Sequence, residues 1–138
     1  MFRERMASSK IVATDLEPAY SDVIQWDYHE TKPEWLGAFD IVYSNSLDHS
    51  HKPGECLRGW LSQLKPDGRL YLQWTQYHRL TAKNNPNEFG GDCFGAGLWE
   101  YIELCNRVGE VQNLIYLKST PAAVTIRVIL VVGRKADG

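Results

Sequence analysis

Residues 39–49 read FDIVYSNSLDH and residues 61–74 read LSQLKPDGRLYLQW; the stretch they bound decides the fold. Phe39–Ser44 is a strand candidate entered through Gly37 and left through Ser44-Asn45-Ser46. Pro53 can open a helix as a first-turn residue, and Leu57, Trp60, Leu61 and Leu64 then recur at helical spacing. Lys65-Pro66-Asp67-Gly68 stops that helix with turn chemistry and aims the chain into Arg69–Thr75, another strand. Strand, helix and strand in this order make an α/β unit.

The flanks extend the pattern. Upstream, Lys10–Asp15 (KIVATD) and Asp22–Trp26 (DVIQW) are strand candidates, and residues 2–8 read as the tail of a helix. The connection Leu16–Ser21 is shorter than the roughly dozen residues of an ordinary parallel crossover. The two runs therefore join through a tight, helix-free crossover or are not both regular strands. Downstream, Gln76–Ala96 contains Asn-Asn-Pro-Asn and Gly-Gly and is too long for a plain connector, so it is expected over the edge that carries Asn45. Leu98–Val108 is apolar at 98, 102, 105 and 108, a helix with Gly109 at its C-terminal cap position. Gln112–Lys118 and Ala123–Val132, with Pro121 between them, are expected to form an antiparallel hairpin. The sum is an α/β domain, its sheet mostly parallel with one antiparallel member.

The 138 residues allow one domain, 1–138. A composition 43% hydrophobic and 23% charged excludes disorder, and no run reaches the roughly 18 apolar residues of a membrane span. Lys+Arg 15 against Asp+Glu 17 leaves a net charge of -2, which argues against a surface built to coat nucleic acid. Cys56, Cys93 and Cys105 make an odd set without CxxC spacing, neither a disulfide framework nor a zinc knuckle. The start MFRERMASSK has no apolar run of a signal peptide, so a cytoplasmic protein is expected.

Several side chains could carry chemistry. Asp15, at the C-terminal end of a strand, suits the two hydroxyls of a ribose; alone it reads more readily as a cap or loop acid. Asp27 lies within Trp26-Asp27-Tyr28-His29, where a carboxylate beside aromatics suits a purine, or a strand end packing into the core. Asp48, His49, His51 and His29 are metal-ligand types, but adjacent residues of one loop do not set the spread a metal needs, so no metal site is assigned. His49 suits a general base on an acceptor hydroxyl, or a loop histidine that orients the next helix. Tyr77, His78, Arg79 and Lys83 form a basic aromatic cluster for an acidic or sugar substrate, or a solvated loop face.

In order, VATDLEP, QWDYHE, FDIVYSNSLDHS, LSQLKPDGRLYLQW and the terminal strand pair resemble the class I S-adenosylmethionine-dependent methyltransferases over residues 10–133. The resemblance implies a three-layer, Rossmann-like fold with strand order 3-2-1-4-5-7-6. It also implies methyl transfer from S-adenosylmethionine to a small-molecule acceptor. Asp15, with Leu16 beside it, would hold the ribose, and Asp27, with Tyr28, the adenine. Ser44–His49 would line the methionine end and the reaction centre, with Asn45 and Ser46 on the cofactor and His49 as the catalytic base. No Asp/Asn-Pro-Pro-Tyr follows residues 39–44, so the resemblance does not extend to enzymes that methylate base amino groups.

The family's first strand and its GxGxG loop have no counterpart here; Gly90, Gly91, Gly95 and Gly97 all follow the strand at 69–75. The fold is therefore expected to be N-terminally truncated, without its central strand. The runs 10–15 and 39–44 would then pair directly, or a second copy would cover them in a homodimer at micromolar concentration. A non-catalytic methyltransferase-like module that binds a nucleotide or a partner protein is the alternative.

Overall fold

A computed structural model describes residues 9–78, 93–117 and 125–136 of the chain. Strands β1 (Thr14–Asp15) and β2 (Ile24–Gln25) pair in parallel as a separate ribbon. The Ile24 N–H donates to the Ala13 carbonyl and the Trp26 N–H to that of Asp15, both at 2.9 Å. The crossover between them holds no helix, and the regular strands are two residues long instead of filling 10–15 and 22–26. All four strand residues are exposed. The helix tail expected at residues 2–8 lies outside the described residues.

The main sheet contains β3 (Phe39–Ser44), β4 (Leu64–Thr75), β5 (Glu110–Leu117) and β6 (Arg127–Gly133) in the order β3-β4-β6-β5. β3 and β4 pair in parallel and β6 is antiparallel to both β4 and β5, so β3, β4 and β5 share one direction and β6 alone opposes it. The sheet is thus mixed as expected, with three strands in one direction and the returning β6, inserted between two of them, as its one antiparallel member. Among the described residues β1 pairs with β2 and β3 with β4, so the direct closure of 10–15 onto 39–44 does not occur.

Helices α1 (Pro53–Ser62) and α2 (Leu98–Val108) cover one face of this sheet. Cys56, Leu57, Trp60 and Leu61 of α1 and Tyr101 and Cys105 of α2 meet Leu70, Leu72, Trp74, Val128, Leu130 and Val132 in one core. Each large apolar side chain buried there contributes about 1.5–3 kcal/mol before the entropy of ordering. Val42 packs against this core, so alternation turns Ile41 and Tyr43 to the other face, where they are about half exposed. The described residues therefore form two layers where three were expected. None of their helices is long and apolar enough to cross a membrane.

Two turn signals act in an unexpected way. Helix α1 already ends at Ser62, and β4 starts at Leu64 opposite Phe39; the next pair is Arg69 with Ile41. Lys65–Gly68 is thus looped out opposite Asp40, whose carboxylate the Lys65 ammonium holds at 2.9 Å. Gly68 permits this, since a Cβ there would stand 2.9 Å from the Phe39 carbonyl oxygen. Gly109 caps α2 with a φ of -142, extended backbone and not left-handed. Its requirement is space: a Cβ would meet the Gly133 carbonyl oxygen at 2.7 Å and Leu61 Cδ1 at 2.8 Å.

Candidate functional site

Parallel pairing brings the C-terminal ends of β1 and β2 to one edge, and side-chain contacts bring the end of β3 to the loop after β2. Asp15 closes β1, exposed, and its Oδ1 accepts the Glu17 N–H at 2.8 Å. Leu16 next to it is exposed, and its carbonyl accepts from Gln25 Nε2 at 3.1 Å. Past β2, Asp27 Oδ1 accepts the His29 N–H at 2.9 Å and lies 2.7 Å from His29 Nδ1. The backbone bond first, and the ring bond second, hold the Asp27 carboxyl below its ordinary 3.8.

His29 reaches further. A carboxylate only accepts, so the short Asp27 contact places a proton on Nδ1, while Nε2 lies 2.9 Å from the Ser50 hydroxyl and accepts from it in the neutral ring. Ser50 is fully buried; its Oγ also accepts the Lys52 N–H at 3.0 Å and lies 3.4 Å from Cys56 Sγ. Burial pushes the Cys56 thiol up to about 11. Tyr28 donates its hydroxyl to the Ser46 carbonyl at 3.2 Å and stacks on His29 with ring centroids 4.7 Å apart. Desolvation raises the Tyr28 phenol well above its usual range. Its ring packs against the core, so Tyr28 acts here as a tie between loops.

The loop after β3 holds the second half of the site. Ser46 Oγ donates to Asn45 Oδ1 at 3.0 Å, and a single 3-10 turn, Leu47–His49, follows. Asp48 is buried, with its Oδ2 3.6 Å from His78 Nε2 and 4.0 Å from His49 Nε2. The His49 side chain stays 64% exposed while that of His78 is 12% exposed. The Phe94 N–H donates to the Asp48 carbonyl at 2.7 Å, and the Ala96 N–H to that of His78 at 2.8 Å. Both described ends of the Gln76–Ala96 loop therefore stand beside Asp48; Arg79, Lys83 and the rest of 79–92 lie outside the described residues.

Sequence reasoning singled out Asp15, Leu16, Asp27, Asn45, Ser46 and His49 but assigned no role to Ser50 and no burial to Asp48. Only tertiary contact gives them those roles. A shallow hollow of about 240 Å³, lined by Arg58, Leu61, Ser62, Val108, Arg134 and Lys135, lies elsewhere. Arg134 follows β6 and donates to the Leu64 carbonyl at 3.3 Å, which places the hollow at the opposite edge, where β4 begins.

No family model and no curated protein matches the chain. Solved structures do. The PH0226 protein from Pyrococcus horikoshii aligns with a TM-score of 0.71 at 13% identity, over 97% of this chain and 76% of that one. The Burkholderia thailandensis 1,6-didemethyltoxoflavin-N1-methyltransferase, solved with S-adenosylhomocysteine, aligns at 0.65 and 17% identity, over 91% and 61%. LepI, solved in complex with S-adenosylmethionine, aligns at 0.64 and 11% identity, over 97% and 39%. The chain spans between 39% and 61% of the length of the first structures it matches. Identities this low establish the course of the backbone, and on that ground the chain has the fold of the class I S-adenosylmethionine-dependent methyltransferases.

Proposed function

We propose that the chain binds S-adenosylmethionine along the C-terminal ends of β1, β2 and β3 and passes its methyl group to a small molecule beside His49. The observation that carries this reading is the pair Asp15 and Asp27, two exposed carboxylates, one closing β1 and the other just past its parallel neighbour β2. Carboxylates accept hydrogen bonds, whereas ribose hydroxyls and the adenine amino group donate them, so this donor and acceptor chemistry fits the nucleoside. When bound, the group supplies an electrophilic methyl on a sulfonium.

The chain's own residues do the rest. Asp15 accepts from the ribose, Asp27 from the adenine, and Asn45 and Ser46 border the methionine end. The exposed His49 imidazole takes the proton of an acceptor hydroxyl, and the buried Asp48 carboxylate at 4.0 Å steadies the resulting positive charge. Placing the nucleophile in line with the methyl is the larger contribution.

Calorimetric titration with S-adenosylhomocysteine tests the reading. The expected result is saturable heat that weakens in Asp15→Asn and Asp27→Asn. A flat titration of the folded wild-type chain would overturn it. Binding without methyl transfer to any hydroxyl-bearing small molecule would favour the non-catalytic module.

A further inference from the structure

Asp27 Oδ1 receives both the backbone N–H and the ring Nδ1–H of His29, which uses both lone-pair positions of that oxygen. Oδ2 is the oxygen that remains for an outside donor, on a side chain 48% exposed. On its far side the same imidazole hydrogen-bonds Ser50 through Nε2, and Ser50 is fully buried and itself held by the Lys52 N–H. The carboxylate is thus fixed against rotation by a chain of bonds that ends in the loop carrying Asp48 and His49. His51 adds to the hold, its ring centroid 4.4 Å from that of His29.

We propose that His29 is a positioning residue for the nucleoside end of the site: it aims Asp27 Oδ2 at the adenine amino group and ties that aim to the loop after β3. The assignment rests on the nucleoside reading above. It requires the Nδ1–H tautomer, because only that form donates to the carboxylate while accepting from Ser50.

The first test uses the unaltered chain. Nitrogen-15 spectra of histidine-labelled protein at neutral pH are expected to show Nδ1 of His29 protonated and Nε2 bare; the reverse tautomer would overturn the proposal. Substitution then separates the two contacts. His29→Asn can place an N–H near the position of Nδ1, whereas His29→Gln reaches toward that of Nε2. Calorimetry with S-adenosylhomocysteine and with adenosine is expected to show about a tenfold loss in His29→Ala, equal for both ligands. His29→Asn should recover most of it and His29→Gln little, although a role in packing alone would favour the longer Gln. Unchanged affinity in His29→Ala, or better rescue by Gln, would sink the proposal while leaving the nucleoside site standing. Absence of heat from both ligands with the wild-type chain would remove the nucleoside site itself and His29's role with it. Should His29→Ala fail to fold, the tautomer and the Asn–Gln contrast still decide.

Discussion

The Trp60 indole donates its Nε1–H to the Tyr28 carbonyl at 3.0 Å, and this bond fastens the loop after β2 to helix α1. The rings of the same two residues stand 5.6 Å apart, so one contact combines apolar burial with a satisfied carbonyl. Trp60→Phe keeps most of the ring and removes the donor. It is expected to cost about 1–2 kcal/mol, whereas Trp60→Ala should cost about 3–5 kcal/mol through the cavity it opens. Urea unfolding followed by circular dichroism measures both. A Trp60→Phe chain as stable as wild type would show that the bond contributes nothing.

Two glycines should respond to alanine with opposite signs. A Cβ at Gly109 would press on the Gly133 backbone at 2.7 Å, and Gly109→Ala is expected to destabilise by about 1–3 kcal/mol. Gly54 lies in the first turn of α1, and its nearest neighbour would be the flexible end of Arg58 at 3.8 Å. Gly54→Ala is therefore expected to raise stability by about 0.5–1 kcal/mol. Thermal melts of the two variants, measured side by side, give the comparison.

That contrast also shows what could be read from the sequence. Phe39–Ser44, the onset of α1 at Pro53 and the span of α2 were legible because apolar residues recur there at the period of the element. Gly109 was legible as a terminator, but its reason, contact with β6, depends on a residue far along the chain. The run KIVATD looked like a full strand, yet only Thr14 and Asp15 pair in register, both exposed. Of the candidate site, the positions of Asp15 at the end of β1 and of Asp27 past β2 could be read from their places in the sequence. The burial of Asp48 and the bond from Ser50 to His29 could not, because each joins loops that only folding brings together.

Thiol chemistry and alkaline stability should follow burial. Cys93 is exposed, whereas Cys56 and Cys105 are buried. One equivalent of Ellman's reagent is expected to react with the native chain and three after unfolding. Burial raises the thiol of Cys56 to about 11 and that of Cys105 to about 12, from an ordinary 9.0. In the unfolded chain both ionise near 9, so their contribution is intact below that pH and is lost as pH climbs through 9 toward 12. The lowered Asp27 carboxyl acts at the other end, its contribution present above pH 3.8 and lost below. Urea midpoints that stay constant from pH 8 to 11 would contradict the thiol assignment.

Self-association should track the β5 edge. Leu114, Ile115, Tyr116 and Leu117 are consecutive exposed apolar residues on a strand that pairs with β6 alone among the described residues. Neither lysine nor proline interrupts it from Val111 to Leu117. Such an edge, paired antiparallel with its own copy, is complementary under a two-fold axis. Sedimentation is expected to show dimers at micromolar concentration, and Leu114→Lys with Tyr116→Lys, both on one side of the strand, should return monomers. A wild-type monomer under those conditions would refute the pairing.

The proposed reaction centre yields the last test, which separates binding from transfer. His49 is exposed, while Asp48 beneath it is buried beside His78 at 3.6 Å. If His49 takes the acceptor's proton, His49→Gln should lower the rate of methyl transfer by about 10²–10⁴-fold and leave S-adenosylhomocysteine affinity unchanged. Asp48→Asn removes a buried charge that faces two imidazoles. It is expected to slow transfer and also to cost about 1–3 kcal/mol of stability, because the groups around it lose their anionic partner. Asp15→Asn should show the reverse split, with affinity reduced and single-turnover transfer from the saturated complex nearly intact. Quench-flow measurements on the three variants, paired with calorimetry, read both quantities. A His49→Gln chain that transfers at the wild-type rate would take proton removal away from His49 and leave positioning alone to account for the reaction.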